Sequence, residues 1–281
     1  MKAKNLLLFL LVITITACRK QAEQPVLKSI ISSDKPVLKL KDMIVNRLPS
    51  PYYHFDYNDS GYITKAAFAS GLSFYHLTYT DKKVSEMAMN KDVPFDTKKD
   101  KMEYDYDHDN LTGIRVIDKN GVLYRKCLLT YFPSKQLQKL EWDVKVSNTA
   151  FATEMILEFS YYADGNLERI KYTSSPTNSQ TLSHYEDKYE NYDDKLNADG
   201  FSLLHINPYF LNLILLPSVH LQMNNPRHMT HTGDGDNYTI DYSYTYDAQA
   251  RPLTKSGDFA YTNGTNAGLH VDLLTTFSYY D

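Results

Sequence analysis

The segment FSYYADGNLERI, residues 159–170, decides the fold of this chain. Apolar and aromatic residues alternate with polar ones up to Tyr161, a turn follows at 164–166, and apolar residues return at Leu167 and Ile170. Alternation with a period of two directs one set of side chains toward a core and the other toward solvent. Asp-Gly and Asn-Gly pairs supply the positive φ angles that tight hairpin turns need. The segment therefore predicts two antiparallel strands joined by a short turn.

The same spacing recurs along most of the chain. Gly, Leu and Ile follow Tyr161 at four, six and nine residues, and comparable offsets recur in the segments 55–66, 116–126, 130–140 and 244–255. The segments 79–87 and 104–116 keep the aromatic start and the polar turn without a glycine at that offset. No single hairpin is stable alone in water. We therefore predict an all-β domain, one large antiparallel meander of consecutive hairpins that curves into a trough or an open barrel, with full closure also possible.

The repeated spacing Tyr-x-x-x-Gly-x-Leu-x-x-Ile resembles the YD repeat of RHS-type proteins, in which such hairpins stack into long sheets. It also resembles domains of unknown function found in Gram-negative lipoproteins. The resemblance covers about residues 52–281 and implies the hairpin architecture. The chain lacks the length of an RHS shell, so the encapsulation function is not carried over.

Tyrosine is abundant, with 24 Tyr against 12 Phe and a single Trp. Its ring is apolar and its hydroxyl can reach water, so it suits a sheet with one packed and one wet side. Adjacent tyrosines in a strand must point to opposite faces, and outward aromatic rings are enriched at interfaces and can stack on sugar rings. Tyr161, Tyr162, Tyr244 and Tyr246 are thus candidate binding residues. Cross-strand packing is the alternative interpretation.

One apolar stretch, near residues 201–223, interrupts the hairpin pattern. Pro208 and Pro217 cut it into pieces too short for a long helix, although 210–216 could form one or two helical turns. We expect a short helical or irregular plug that packs on the sheet. The alternative is a surface loop that docks on a partner or on lipid.

The N-terminus has the features of a secretory leader. Lys2 and Lys4 precede the unbroken apolar run 6–15, which is too short for a permanent membrane span of about 20 residues. The stretch ITAC, ending at Cys18, resembles a bacterial lipobox, in which the cysteine is lipidated and the chain is cut just before it. The resemblance implies a palmitate-type anchor of three acyl chains on Cys18, which would hold the protein permanently on a membrane. An ordinary signal peptide with a coincidental cysteine is the alternative.

These features predict three regions: a signal peptide over 1–17, the lipidated cysteine with a flexible tether over 18–50, and a single β-hairpin-repeat domain over 51–281. The tether is polar and contains two prolines, with room for a first strand near 37–40. We expect a protein anchored to the cell envelope, at the outer membrane. The residues after Cys18 lack a dense acidic tract, which favours the periplasmic face over the cell surface.

Charge and cysteine content narrow the possible partners. The net charge of −4, which becomes −6 without Lys2 and Lys4, argues against nucleic acid as a partner, because nucleic acid requires a concentrated basic face. The chain has two cysteines, so a lipidated Cys18 leaves Cys127 without a disulfide partner. Cys127 lies in a strand-like run and is interpreted as a small core residue.

The motifs that carry chemistry are weak. HMTH, residues 228–231, has a spacing of three and no adjacent Glu, so we interpret it as an exposed polar loop rather than a metal site. The acidic segments 106–110 and 232–238 lack the further ligands of a calcium loop and are interpreted as turns. No nucleophile elbow, phosphate loop or dinucleotide fingerprint occurs. We therefore name no catalytic residue, no metal site and no cofactor.

The sequence favours a non-enzymatic binding or scaffold module at the cell envelope. Its ligand would be a glycan, a lipid or an envelope protein. The alternative is an envelope hydrolase that acts on glycans with a pair of carboxylates on the concave face of the sheet.

Overall fold

A computed structural model describes residues 38–89, 100–175, 182–198 and 214–281. These residues form sixteen β-strands and contain no helix. The strands are β1 (Leu40–Val45), β2 (Tyr53–Tyr57), β3 (Ile63–Phe68), β4 (Ser73–Thr80), β5 (Lys83–Met89), β6 (Lys101–Asp107), β7 (Asn110–Ile117), β8 (Leu123–Tyr131), β9 (Leu137–Lys145), β10 (Phe151–Tyr161), β11 (Leu167–Ser174), β12 (Ser183–Glu190), β13 (His228–Gly233), β14 (Tyr238–Tyr246), β15 (Pro252–Tyr261) and β16 (His270–Tyr279).

The sheet is a closed barrel. Every strand pairs antiparallel with its neighbours in sequence, and β16 pairs with β1 through contacts such as Met43 with Phe277. The predicted antiparallel meander is confirmed, whereas the trough or open barrel is wrong because β1 and β16 meet. Closure removes both exposed sheet edges, which would otherwise present unpaired backbone groups.

The strand that closes the barrel lies inside the region predicted as a tether. β1 pairs with both β2 and β16, so the barrel begins at Leu40 rather than at residue 51. A register shift between Leu40 and Asp42 breaks the alternation. As a result both Leu40 and Met43 contact the core, although residues three apart in a regular strand point to opposite faces. A search for strict alternation misses a strand of this kind.

The hairpins predicted from the repeat are present, and their turns share one geometry. The residue four positions after the repeat's first residue has a positive φ in five turns: Gly61, Gly121, Lys135, Gly165 and Ala250. Its backbone N–H donates to the carbonyl three residues earlier in each of them. This position requires the left-handed conformation, which glycine adopts without steric cost. The repeat therefore prefers glycine there, and Lys135 and Ala250 adopt the same conformation less favourably.

The first residue of the repeat marks a β-bulge. Seven strand pairs shift register immediately before Tyr57, Tyr79, Tyr106, Ile117, Tyr131, Tyr161 or Tyr246. Bulges increase twist and bend the strand. Their repetition at equivalent positions gives the sheet the curvature that closure needs.

Tyrosine hydroxyls tie consecutive strands together at the same end of the barrel. A tyrosine at or near the end of an even-numbered strand donates to the carbonyl at or near the start of the preceding odd-numbered strand. We call these bonds tyrosine latches. They are Tyr57 to Leu40, Tyr79 to Ile63, Tyr131 to Leu111, Tyr161 to Leu137, Tyr192 to Leu167, Tyr244 to Pro226 and Tyr279 to Pro252, at 2.6–2.9 Å. Because the latched carbonyls lie beside buried apolar side chains, each latch satisfies an acceptor that would be costly to leave unpaired.

The two faces of the barrel wall differ in polarity. Inward side chains form the apolar core, and Phe55, Ile114, Leu140, Trp142 and Leu157 are at most 1 % exposed. Outward side chains of neighbouring strands form ion pairs, including Lys101 with Glu86, Arg115 with Asp105, Lys126 with Asp143 and Arg169 with Glu186. The barrel wall is thus apolar inside and charged outside over these strands.

The predicted plug is described only in part. Residues 201–213 lie outside the described residues, and 214–223 contains turns but no helix, so no helical plug is found in the described portion. Ile214, Leu215 and Leu216 are at most 2 % exposed and belong to the core cluster. Tyr104 donates a hydrogen bond to the Leu215 carbonyl, which holds this irregular segment against the inner wall.

Candidate functional site

The inner wall has two sectors with different chemistry. The inward side chains of β2–β11, the sealed wall, are largely apolar and buried. On β12–β14 the inward positions carry half-buried tyrosines around an acidic and a basic side chain. We call this second sector the tyrosine face and define it by Tyr185, Tyr189, Tyr238, Tyr242, Asp187 and His231.

Strand alternation places these residues on one surface. In SHYEDKYE (β12) the inward positions are Tyr185, Asp187 and Tyr189, because Asp187 pairs with the buried Ile170 of β11. In YTIDYSYTY (β14) the buried Ile240 fixes Tyr238 and Tyr242 as inward. The outward residues of the same strands are polar or charged.

Asp187 and His231 form a hydrogen-bonded pair at the centre of the tyrosine face. They are directly opposite each other on β12 and β13, and the distance from His231 Nδ1 to Asp187 Oδ1 is 2.6 Å. The His231 side chain is 12 % exposed, and the Asp187 side chain is 7 % exposed. Glu154 and Asp187 are the only charged side chains that are fully buried in the described part of the chain.

The interpretation of HMTH as an exposed loop is wrong, because these residues open strand β13. Residues three apart in a strand point to opposite faces, so His228 faces outward and pairs with Asp241 at 2.6 Å. His228 and His231 therefore cannot bind one metal ion together. In the described ranges no group of three or more potential metal ligands comes together.

Aromatic stacking holds the His231 ring in place. It is parallel to Tyr238, with ring centroids 4.4 Å apart and an angle of 5° between planes, and Tyr185 contacts it at 4.9 Å. Tyr185 in turn stacks on Tyr172 at 4.1 Å, and Tyr238 stacks on Phe259 at 4.3 Å. The rings form a continuous row across five strands, so His231 has little rotational freedom.

Tyr242 lies deeper along β14. Its ring leans over Gly257 of β15, where an added Cβ would be 3.3 Å from the ring and 3.0 Å from Ile240. The ammonium group of Lys255 lies 4.0 Å from the ring centroid, a favourable cation–π distance. The missing side chain at Gly257 thus makes room for Tyr242 on the inner wall.

The polar atoms of the tyrosine face differ from those of the latches. The hydroxyls of Tyr185, Tyr189, Tyr238 and Tyr242 form no hydrogen bond with any other described residue, and neither does Nε2 of His231. Half-buried polar atoms are normally paired with protein, water or ligand. Five such atoms are gathered on a concave, mostly aromatic surface, which is the common composition of a small-molecule site.

Burial also keeps these hydroxyls protonated. It raises the pKa of Tyr185, Tyr189, Tyr238 and Tyr242, and the negative charge of Asp187 raises each further. A protonated phenol both donates and accepts hydrogen bonds, so the face can satisfy either kind of partner group.

Tyr162 and Tyr244 border the tyrosine face, where the Tyr244 ring lies 6.4 Å from that of Tyr242, and the hydroxyls of all four sequence-predicted residues are engaged within the protein. Tyr161 and Tyr244 are latches, and the Tyr162 hydroxyl donates to the Tyr189 carbonyl at 2.9 Å. The Tyr246 hydroxyl donates to Asp193. The side chains of Tyr162 and Tyr246 both border the segment 191–197, because Tyr162 contacts Tyr192 and Tyr246 bonds to Asp193. Their role in binding stays a prediction.

The other candidate residues that the structure describes are buried, paired with another side chain or located in a turn. Cys127 is buried, as predicted, and burial raises the pKa of its thiol. Glu154 is paired with Arg125 at 2.8 Å. The segment 232–238 forms the β13–β14 turn, with positive φ at Gly233 and Gly235. Cys18 lies outside the described residues.

Sequence reasoning missed the tyrosine face. The alternation in SHYEDKYE was a usable signal for an inward carboxylate, but its partner His231 is 44 residues away. Asp187 and His231 meet only because β12 and β13 are adjacent strands of the barrel.

Comparisons with known proteins agree with the barrel. The structure is similar to a crystal structure of a porin-like protein from Bacteroides uniformis, with a TM-score of 0.54, 13 % sequence identity and coverage of 89 % of this chain and 100 % of the other. No protein-family profile and no curated protein matches the sequence. At this identity the similarity establishes the fold alone.

A search for membrane-spanning helices gave a negative result. Within the described ranges, no helix has the length and apolar character that a bilayer span requires.

Proposed function

We propose that this chain is a lipid-anchored, non-enzymatic binding protein of the cell envelope that holds a small ligand against the tyrosine face. The observation that carries the proposal is the group of five polar atoms on that face without a partner among the described residues. Their clustering beside stacked rings contrasts with the latches, where each hydroxyl is used internally.

The outer surface supports an anchor beside the membrane. Strands that cross a bilayer carry an outward apolar band about 25 Å tall. Here the outward positions of β5–β9 carry ion pairs such as Lys101 with Glu86 and Lys139 with Glu141. Facing lipid would remove these charges from water at high cost. The acyl chains expected on Cys18 would therefore provide the attachment, and the porin-like description of the Bacteroides uniformis protein supports an envelope location.

A glycan hydrolase is less well supported. The two buried carboxylates each have a partner, Glu154 with Arg125 and Asp187 with His231. Glycoside hydrolysis needs two carboxyl groups that face the same bond. Neither pairing provides that arrangement.

Binding is tested with the full-length lipidated chain in nanodiscs, by thermal-shift screening of oligosaccharides, lipids and peptides. A ligand should raise the melting temperature, and the Tyr238→Phe/Tyr242→Phe variant should abolish that rise. Ser243→Ala, on the outer face of the same strand, is the matched control and should respond like the wild type. A ligand that stabilises both variants equally would place binding elsewhere.

Attachment is tested separately by metabolic labelling with a palmitate analogue. The wild type should carry label and fractionate with membranes. Cys18→Ala should lose the label and appear in the soluble fraction. An unlabelled wild type would contradict the anchor.

A further inference from the structure

We propose that the ligand is a carbohydrate, and that one of its ring hydroxyls donates a hydrogen bond to Nε2 of His231. This inference rests on the proposed function and adds the ligand class and the residue pair that recognises it. It is carried by the Asp187–His231 pair and by the tyrosine hydroxyls around it.

Asp187 sets the hydrogen-bonding character of the histidine. Its carboxylate oxygen lies 2.6 Å from His231 Nδ1 and can only accept, so Nδ1 carries the proton. In the neutral imidazole the other nitrogen, Nε2, is then an acceptor. Nε2 can therefore accept a hydrogen bond from a hydroxyl group of the ligand. The tyrosine hydroxyls can donate hydrogen bonds to the oxygen of that hydroxyl or to neighbouring oxygens of the ligand.

The orientation of the His231 ring is also fixed. Tyr238 and Tyr185 contact its two sides, and both partners belong to paired strands of the barrel. A ligand would find Nε2 already oriented, which lowers the entropic cost of binding.

The number of polar atoms selects against other ligand classes. An acyl chain or an apolar side chain on this surface would leave up to five hydrogen-bonding atoms without partners, at about 1–3 kcal/mol for each one sealed from water. Sites built to bind hydroxyl groups reject analogues that lack them. A polyhydroxylated ring provides both donors and acceptors at the density that the face requires.

The same strand contains a natural control. His228 and Asp241 have an identical separation of 2.6 Å, but they face outward, and the Asp241 side chain is 72 % exposed. The pair therefore lies on the solvent-exposed outer face of the barrel. Only the inward pair should affect ligand binding.

The experiment is isothermal titration of the full-length lipidated chain in nanodiscs, after an array of neutral and acidic oligosaccharides has identified a binder. Asp187→Asn should weaken binding by about 10- to 100-fold, the loss of one well-formed hydrogen bond to a buried site. Asn can donate to Nδ1 and thereby move the proton to Nε2. The ¹⁵N shifts of His231 should report this tautomer change, which a purely structural role would not produce.

A second variant distinguishes loss of binding from loss of folding. Asp187→Leu/His231→Phe removes the carboxylate together with its hydrogen-bonding partner, so no buried polar group of the pair is left unpaired. It should keep the wild-type circular dichroism and lose measurable carbohydrate binding. His228→Gln should bind like the wild type.

The outcomes separate the two proposals. Binding of a lipid or peptide that depends on Tyr238 and Tyr242, without carbohydrate binding, would overturn this inference and leave the proposed function standing. Carbohydrate binding that persists in a folded Asp187→Leu/His231→Phe variant would overturn the role of the pair. No binding from any class would contradict both proposals.

Discussion

The sealed wall and the tyrosine face have the same construction and different chemistry. Both consist of antiparallel hairpins with inward and outward alternation. In β2–β11 the inward residues pack to near-complete burial, as at Leu140 and Trp142. In β12–β14 they include half-buried tyrosines and the hydrogen-bonded Asp187–His231 pair. One repeating frame can therefore stabilise the barrel in one sector and present polar groups to a ligand in another.

The use of tyrosine makes the contrast sharper. In a latch such as Tyr131, the hydroxyl bonds to a backbone carbonyl and the ring packs against the core. On the tyrosine face, the ring packs against other rings and the hydroxyl has no partner among the described residues. The residue type is the same, so abundance of tyrosine by itself does not identify a binding site.

The largest expected effect is alkaline unfolding, to which both sectors contribute. Burial raises the pKa of Tyr131 and of Tyr238 above the value of about 10 in an unfolded chain. The folded state then holds its protons longer, so stability is intact below about pH 10 and falls as the pH rises further. Denaturant titrations at several pH values, with tyrosinate absorbance followed in parallel, should show both changes together. Tyrosinate formation in a folded protein of unchanged stability would contradict this expectation.

The same core substitution should give unequal losses in the sealed wall and on β16, which lies beyond the tyrosine face. Leu140→Ala, in the sealed wall, should lower the free energy of unfolding by about 2–5 kcal/mol. Leu273 points inward on β16, opposite Gly257, and is only partly buried. Leu273→Ala should therefore cost less than half as much. Equal losses in urea unfolding would mean that β16 is packed as tightly as the sealed wall.

Removal of a hydroxyl should distinguish the two kinds of tyrosine. Tyr131→Phe leaves the Leu111 carbonyl unpaired and should destabilise the protein by about 1–2 kcal/mol. Tyr238→Phe removes no hydrogen bond to any residue that the structure describes and should change stability by less than about 0.5 kcal/mol. Thermal unfolding of both variants measures the difference. A reversed order would show that the face, not the latch, holds the strands together.

The smallest effects concern the turns. Gly121→Ala places a Cβ at a positive φ in open space, so only backbone strain of about 1 kcal/mol is expected. Ala250→Gly relieves the same strain in the β14–β15 turn and should stabilise the protein by up to about 1 kcal/mol. If both substitutions shift the melting temperature in the same direction, the two turns are not equivalent.

Much of the architecture could be predicted from local patterns. The hairpins around Gly61, Gly121 and Gly165 were visible because the turn residue and the alternation agree. The first strand was located only approximately, because the strand expected near 37–40 shares only Leu40 with β1 and the shift between Leu40 and Asp42 breaks the alternation that identifies a strand. The candidate binding residues were placed on repeat tyrosines, and three of the four donate to backbone carbonyls inside the protein.

The sequence by itself determined the all-β class, the meander of hairpins and the positions of their turns, because these depend on residues within a dozen positions of one another. The tertiary structure decided that the sheet closes, which side of each strand faces inward around the whole ring, and that Asp187 meets His231 beneath stacked tyrosines. Those features depend on strands far apart in sequence that come together only when the barrel is complete.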